Sequence, residues 1–104
     1  MIEYNNREYH LKFNLGRLKL VEGTLKKPLI TVYTEHGGAF TIDEMEKIFQ
    51  LCLKEKEADQ FCGNGLAKEI FESCLETENG YATVNNMIAA QLYEDCPFLF
   101  PKLS

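Results

Sequence analysis

Cysteine and histidine are the residues of this chain most able to bind metal or act as nucleophiles. The four cysteines (Cys52, Cys62, Cys74 and Cys96) are spaced 10, 12 and 22 residues apart, without a Cys-x-x-Cys pair. This spacing fits neither a redox motif nor a zinc ribbon. A zinc site from Cys52, Cys62, Cys74 and His36 would require four separate elements to converge. We therefore predict reduced thiols, three of them at core positions, and no metal.

The two histidines do not lie in a pattern typical of a catalytic site. His10 falls on the polar face of a predicted strand, and His36 lies in a glycine-rich turn. No glycine-flanked nucleophile elbow is present, and the Gly63–Gly65 segment lacks the Lys-Ser/Thr pair of a phosphate-binding loop. The sequence predicts a protein that is not an enzyme and binds no cofactor.

Acidic side chains are numerous but do not form a metal-binding pattern. Glu55, Glu57 and Asp59 alternate as calcium ligands do, yet neither the central glycine nor the closing glutamate follows at the required offset. The other pairs, such as Glu44 with Glu46, lie at helix ends or on polar faces, where solvation accounts for them.

Charge and hydropathy restrict the class of partner. The net charge is −5; residues 1–27 carry +3 and residues 28–104 carry −8. Because nucleic-acid binding normally needs a dense basic face, we predict no nucleic-acid partner.

The start of the chain lacks the basic and apolar runs of a signal peptide, and no apolar stretch approaches the roughly 20 residues that span a bilayer. We predict a cytoplasmic protein that does not enter the membrane.

Hydrophobic periodicity predicts an α+β fold, mostly α, in which an N-terminal β-hairpin packs on about four helices. In the hairpin, Tyr9, Leu11 and Phe13 share one face, and the asparagines at 5 and 6 suit a tight turn. Residues 29–34 are β-rich and predict either a third strand or an extended connector. The prediction is one domain over residues 1–104, with a hairpin at 1–14, helices at 15–26, 41–57, 65–78 and 83–95, and an apolar tail at 96–104.

Capping signals and apolar stripes define the predicted helices. Asn14 and Thr83 are predicted N-caps, and Thr41 with Glu44 forms a capping box. The predicted core stripes are Leu15, Leu18, Val21 and Leu25 in the first helix; Ile42, Met45, Ile48, Phe49, Cys52 and Leu53 in the second; Leu66, Ile70, Phe71, Cys74 and Leu75 in the third; and Val84, Met87, Ile88 and Leu92 in the last.

The C-terminal tail is unusually apolar. Phe98, Leu99 and Phe100 follow Pro97, which ends the last predicted helix. Two roles are open for these three residues. Either they close the core of their own domain, or they form an apolar patch that binds a partner or another copy of the chain.

The order of these features resembles a known family. A hairpin with the sequence Tyr-Asn-Asn-Arg-Glu-Tyr-His-Leu-Lys-Phe (residues 4–13) leads into a helix, a later helix opens with Thr41-Ile42-Asp43-Glu44-Met45, and a terminal helix leads into residues 94–100. Together they resemble the small tail assembly chaperones of long-tailed, siphovirus-like bacteriophages and prophages of Gram-positive bacteria.

The resemblance implies a role without catalysis. Such chaperones bind the long, helical tape-measure protein, keep it soluble until the tail tube assembles around it, and are absent from the mature virion. It implies a tape-measure partner, bound by the chain alone or as an oligomer. The apolar pattern of the sequence offers two candidate contact surfaces for that partner, namely Phe98, Leu99 and Phe100 of the tail and the apolar helix faces left outside the core. The alternative is a small adaptor or regulatory protein of a mobile element that binds a host or phage protein.

Overall fold

The computed structural model describes residues 1–100, which form a three-stranded antiparallel sheet and five α-helices. This arrangement confirms the predicted α+β, mostly helical fold class. The elements are β1 (Ile2–Tyr4), β2 (Arg7–Leu11), α1 (Leu15–Leu25), α2 (Leu29–Glu35), α3 (Ile42–Cys52), β3 (Leu53–Glu55), α4 (Asn64–Leu75) and α5 (Gly80–Asp95), followed by a 3₁₀ turn (Pro97–Leu99).

The N-terminal hairpin turns tightly on two asparagines. Asn5 and Asn6 both have positive φ, at 49° and 64°, as a two-residue primed turn requires. The resulting register pairs Ile2 with Tyr9. Tyr9, Leu11 and Phe13 are all buried, so the predicted alternation of this segment is confirmed.

The third strand lies at a different place from the one considered in the sequence. It is Leu53–Glu55, which pairs antiparallel with β2 and places Leu53 opposite Leu11. The predicted helix over 41–57 is therefore wrong beyond Cys52. The helix ends at Cys52 because the backbone groups of residues 53–55 form their hydrogen bonds with β2 instead. Leu53 enters the core from this extended segment.

Residues 29–34, predicted as a strand or connector, are instead helical and belong to α2. Pro28 precedes this helix, and its carbonyl accepts hydrogen bonds from the amides of Thr31 and Val32. The Glu22 carboxylate accepts a 2.6 Å hydrogen bond from the first helical amide, that of Leu29. Because Leu29 and Val32, three residues apart, are both buried, tertiary packing outweighs the β propensity of the segment.

Side-chain caps open two of the helices at the predicted residues. The Asn14 side chain accepts a 2.8 Å hydrogen bond from the Arg17 amide at the start of α1. At the start of α3, Thr41 accepts from the Glu44 amide and Glu44 accepts from the Thr41 amide, so the capping box is complete.

The turn between α4 and α5 lies three residues earlier in the chain than predicted. The helix predicted at 65–78 ends at Leu75, and the helix predicted at 83–95 already begins at Gly80. Thr83 is therefore inside α5, where its amide bonds to the Asn79 carbonyl, and it is not the N-cap. Asn79 adopts a left-handed conformation (φ 61°) that turns the chain sharply between the two helices.

One hydrophobic core lies among the five helices and the inner face of the sheet. Each predicted stripe contributes fully buried residues to it, including Leu18, Ile48, Ile70 and Ile88, whereas Leu25, Cys74, Leu75 and Met87 are only partly buried. The first residue of three stripes is exposed instead; these residues are Leu15, Ile42 and Leu66. Each lies in the first turn of its helix.

Candidate functional site

The three tail residues occupy two different environments. Leu99 and Phe100 are half-buried and pack against the core, whereas the side chain of Phe98 is 66% exposed. Pro97–Leu99 forms the 3₁₀ turn that separates these directions. Leu99 and Phe100 thus help to cover their own domain, and Phe98 presents an apolar ring to solvent. Partner binding by the three residues stays a prediction; positions 101–104 of the predicted tail lie outside the described residues.

Phe100 lies in an aromatic cluster that joins the C-terminal segment to α2 and α5. Its ring packs edge-on against Tyr33, with centroids 5.7 Å apart at 87°. It also stacks on Tyr93, with centroids 4.2 Å apart at 10°. Tyr33 in turn contacts the buried Phe40 at 5.8 Å. We call Tyr33, Phe40, Tyr93 and Phe100 the aromatic cluster; it runs from the core to the surface.

The exposed end of this cluster continues the apolar surface of the tail. Tyr93 is 57% exposed although its ring stacks on Phe100, and Phe98 lies two residues before Phe100 in the chain. Aromatic pairs of this geometry contribute about 0.5–1.5 kcal/mol beyond the area they bury. Tyr93 is therefore an exposed ring that stacks on Phe100, and Phe98 is an exposed ring two residues before Phe100 in the chain.

A buried carboxylate fixes the end of α5, from which the tail departs. The Asp95 side chain is only 6% exposed. It accepts hydrogen bonds from the Phe13 amide at 2.9 Å and from the Gln91 side chain at 3.0 Å, and pairs with Lys12 at 3.4 Å. Hydrogen bonds to a charged carboxylate are stronger than neutral ones. Asp95 thus ties the C-terminal end of α5 to the segment that follows β2.

The next residue strengthens the same junction. Cys96 is buried, its amide bonds to the Leu92 carbonyl, and its thiol lies 3.6 Å from the Phe13 carbonyl oxygen. The chain is consequently anchored up to residue 96, immediately before Pro97 directs it away from the helix.

Side chains of α5 also hold the loop that precedes α3. The Asn85 amide accepts from the Phe40 backbone amide at 2.8 Å and donates to the Gly38 carbonyl at 2.9 Å. The Tyr81 hydroxyl donates to the Phe40 carbonyl. The loop turns on Gly37 and Gly38, both at positive φ, as the glycine pair predicted. These contacts place Phe40 beneath Tyr33 and so set the base of the aromatic cluster.

Sequence reasoning missed Tyr33 and Tyr93 as members of this surface. Tyr33 was assigned to the strand or connector at 29–34, and Tyr93 lies outside the apolar stripe of α5. One signal could have found Tyr93. It directly follows Leu92, which is in the stripe, so it is a large aromatic side chain on the edge of that helix face.

The thiols have environments typical of core cysteines. All four are free, and Cys52 and Cys96 are buried. Burial raises the pKa of Cys52 to about 12, and it also raises the pKa of the Cys62, Cys74 and Cys96 thiols. Thiols with a raised pKa are poor nucleophiles because the thiolate is the reactive form.

His10 lies on the outward face of the sheet, opposite Lys54. Partial burial lowers the pKa of His10, and the nearby Lys54 and Lys12 charges lower it further. The same face carries an ion pair between Lys56 and Glu8, at 3.3 Å. In residues 1–100 no three His, Cys, Asp or Glu side chains are grouped to hold a metal ion, so Cys52, Cys62, Cys74 and His36 do not converge.

Exposed apolar side chains also occur away from the tail. They are Met1, Leu15, Leu20, Ile42, Leu66 and Tyr81. They come from the N-terminus and from four different helices, and no aromatic stacking contact joins Tyr81, the one ring among them, to the cluster. No helix in the described part of the chain is both long and apolar enough to cross a membrane.

The C-terminal aromatic surface, formed by Tyr93, Phe98 and Phe100, is thus the candidate site that the described residues offer. It combines exposed aromatic rings, a buried anchor at Asp95 and an acidic surrounding chain, and these features suit binding of an apolar protein segment. No family model, no curated protein and no solved structure matches the chain.

Proposed function

We propose that this protein is a non-enzymatic tail assembly chaperone that binds and solubilises the tape-measure protein during phage tail morphogenesis. It acts in the cytoplasm of the bacterial host and is absent from the mature virion. The observation that carries the proposal is the C-terminal aromatic surface, where Tyr93 and Phe98 are 57% and 66% exposed beside the half-buried Phe100.

Exposed aromatic rings support binding of an apolar client. Burying a phenylalanine side chain fully is worth about 1.5–3 kcal/mol, so a side chain that is 66% exposed, like Phe98, retains about 1–2 kcal/mol for a partner. Tyr93 adds a similar amount and loses little conformational entropy because its ring already stacks on Phe100. Two such residues give weak, reversible binding, which suits a chaperone that is released later.

The charge of the chain supports the second half of the role. A chaperone that covers an aggregation-prone client must itself remain soluble, and a net charge away from zero opposes association. Residues 28–104, which contain this aromatic surface, carry −8. A complex with an apolar client would therefore keep a charged exterior.

The order of elements supports the assignment to tail assembly chaperones in particular. The resemblance rests on a hairpin followed directly by a helix, a later helix with a Thr-x-x-Glu start, and a terminal helix that leads into an apolar segment. The fold has β1–β2 followed by α1, the capping box at the start of α3, and α5 followed by Pro97–Phe100.

Co-expression with a tape-measure fragment tests the proposal. The fragment is taken from the candidate client, a long, coiled-coil-rich reading frame to be sought directly downstream of this gene. We expect the chain to raise the soluble fraction of the fragment and to co-purify with it. Tyr93→Ala combined with Phe98→Ala should abolish both effects, because it removes the exposed rings and leaves the core intact.

Leu20→Ala is the matched control, since Leu20 is a large exposed side chain on α1 rather than at the tail. It should behave as the wild type. No change in solubility and no complex with the wild-type chain would contradict the proposed function. A complex that tolerates the double variant would place binding elsewhere on the surface.

A further inference from the structure

The C-terminal segment is firmly anchored at Cys96 and is attached less firmly over residues 97–100. Cys96 is buried and follows the hydrogen-bonded Asp95. We call residues 97–100 the strap. In the described residues, the backbone amides of the strap bond only within its own turn, from Leu99 to the Cys96 carbonyl and from Phe100 to the Pro97 carbonyl. The strap is therefore held on the domain by side-chain packing.

The surface beneath the strap is a preformed site lined by aromatic side chains. Tyr33 from α2 presents its ring edge-to-face to Phe100, Tyr93 from α5 presents its face, and Phe40 lies behind Tyr33. Both tyrosines are on helices whose positions are fixed by other contacts, namely the Glu22 cap on α2 and the Asn85 bonds made by α5. If Phe100 moved away, Tyr33 and Tyr93 would thus keep their positions, and the surfaces that contact its ring would become accessible. We call it the acceptor site.

We propose that the strap is a releasable plug of the acceptor site, and that an apolar partner segment carrying an aromatic side chain displaces Phe100 and takes its place. The proposal deepens the proposed function and rests on it for the identity of the client. Its physical basis is that the strap shows which ligand the site accepts: an aromatic ring flanked by a leucine, held by stacking and without inter-element backbone hydrogen bonds.

The proposal explains why the apolar tail has two environments. Phe98 is exposed and available for a first contact with a client, while Phe100 is seated. Because Cys96 remains anchored, release requires rotation only at the residues after it. A closed strap also keeps the acceptor site away from solvent when no client is present, which limits non-specific association of a free chaperone.

The strap competes with any ligand from the same chain. A short tether gives an effective concentration of roughly millimolar or more. If the tether keeps the strap closed in about nine-tenths of the molecules, a ligand added in solution should bind the intact chain about ten-fold more weakly than a chain whose strap cannot occupy the site.

The test uses the full-length chain and a synthetic peptide with the sequence Pro-Phe-Leu-Phe-Pro-Lys-Leu-Ser, that of residues 97–104. Binding is followed by NMR in three proteins: wild type, Phe100→Ala and the matched control Leu20→Ala, which removes an exposed apolar side chain of α1 outside the strap and the acceptor site. We expect the peptide to bind Phe100→Ala about ten-fold more tightly than the other two proteins. The aromatic resonances of Tyr33 and Tyr93 should shift on binding.

Equal affinity for all three proteins, or no binding by folded Phe100→Ala at millimolar peptide, would overturn the proposal. So would a wild-type dimer that Phe100→Ala dissolves, since the occupant would then be the strap of a second copy. A peptide with alanine in place of its second phenylalanine is the ligand control and should not bind. None of these measurements involves a tape-measure protein, so they fail or succeed independently of the proposed function.

A second variant covers the case in which Phe100→Ala does not fold. The chain has no tryptophan, so Phe100→Trp places a single fluorescent reporter in the acceptor site. Added peptide should expose the introduced tryptophan and increase its quenching by acrylamide. Unchanged quenching at saturating peptide would show that the strap is not released and would overturn the proposal.

Discussion

Gly80, the first residue of α5, tests the helix packing of the fold most sharply. It is buried in the turn between α4 and α5. A Cβ added there would lie 2.1 Å from the Leu75 carbonyl oxygen and 2.7 Å from the Cys74 carbonyl oxygen. Ordinary contacts of a Cβ are 3.4–4 Å, and the atoms approached are backbone atoms that cannot rotate away. Gly80→Ala must therefore push α4 and α5 apart by more than an ångström.

The size of the effect follows from two opposed terms. Replacing glycine by alanine within a helix normally stabilises a protein by about 0.5–1 kcal/mol. Overpacking a well-packed site costs about 1–3 kcal/mol and more where backbone must move. Because the displaced atoms are backbone, we expect Gly80→Ala to lower the free energy of unfolding by about 3 kcal/mol.

Gly23→Ala is the matched control. Gly23 lies inside α1, and a Cβ added there would meet nothing within 4 Å. This variant should raise the free energy of unfolding by about 0.5–1 kcal/mol. The two substitutions are chemically identical, so their difference of about 4 kcal/mol reports only the space that the fold leaves at each site.

Urea unfolding followed by far-UV circular dichroism measures both variants. With a slope of about 1–3 kcal/mol per molar urea, Gly80→Ala should lower the midpoint by about 1–3 M, and Gly23→Ala should raise it slightly. If Gly80→Ala unfolds within about 1 kcal/mol of the wild type, the tight α4–α5 turn described above is wrong.

Three further predictions concern the anchor, the strap and the thiols. Asp95→Asn should lower the free energy of unfolding by about 2 kcal/mol, because the bonds from Phe13, Gln91 and Lys12 lose their charged acceptor. The control Glu94→Gln, at an exposed position, should change it by less than about 0.5 kcal/mol. Equal effects of the two substitutions in urea unfolding would show that Asp95 is not an anchor. Phe100→Ala should cost about 1–2 kcal/mol and the exposed Phe98→Ala less than about 0.5, and the reverse order would contradict the division of the tail. Burial raises the pKa of Cys52 from 9.0 to about 12. As the pH rises, the unfolded chain therefore loses the Cys52 proton at a lower pH than the folded chain does. The free energy of unfolding should stay constant below pH 9 and decrease between about pH 9 and 12. Unfolding curves on either side of pH 9 check this, and Cys52→Ala should show a shallower fall; identical slopes would contradict it.

Local signals in the sequence were enough to predict several elements. The Asn5–Asn6 turn and the Thr41–Glu44 capping box each depend on residues close in the chain, and both form as predicted. The stripe of α3 from Met45 to Cys52 faces the core, as its helical periodicity predicts. The turn and the capping box act through the backbone within one turn, whereas the predicted Thr83 cap does not form because α5 already begins at Gly80.

Elements decided by distant contacts could not be predicted in this way. Leu53–Glu55 is a strand because β2 offers an unpaired edge, and β2 lies more than 40 residues earlier in the chain. Residues 29–34 have β propensity but become helical because Glu22 caps Leu29 and the core receives Leu29 and Val32. The start of α5 at Gly80 depends on a close approach to α4 that no sequence pattern reveals.

The candidate site was predictable only in part. The run from Phe98 to Phe100 is conspicuous because three consecutive apolar residues follow Pro97, the proline that ends the predicted helix. Its division into an exposed Phe98 and a seated Phe100 depends on Tyr33 and Tyr93, which reach the tail from two other helices. The side chains that an aromatic ring contacts depend on how the helices pack, and helix packing cannot be predicted from the residues near that ring in the sequence.

Direct binding between the purified chain and a soluble helical fragment of its proposed client, a tape-measure protein, tests the central claim. Calorimetric titration should show saturable binding that the Tyr93→Ala, Phe98→Ala double variant weakens by at least about ten-fold, which corresponds to about 1.4 kcal/mol. Leu20→Ala should bind like the wild type. Absence of binding by the wild-type chain, or binding that is identical in the double variant, would contradict a chaperone that holds its client through the C-terminal aromatic surface.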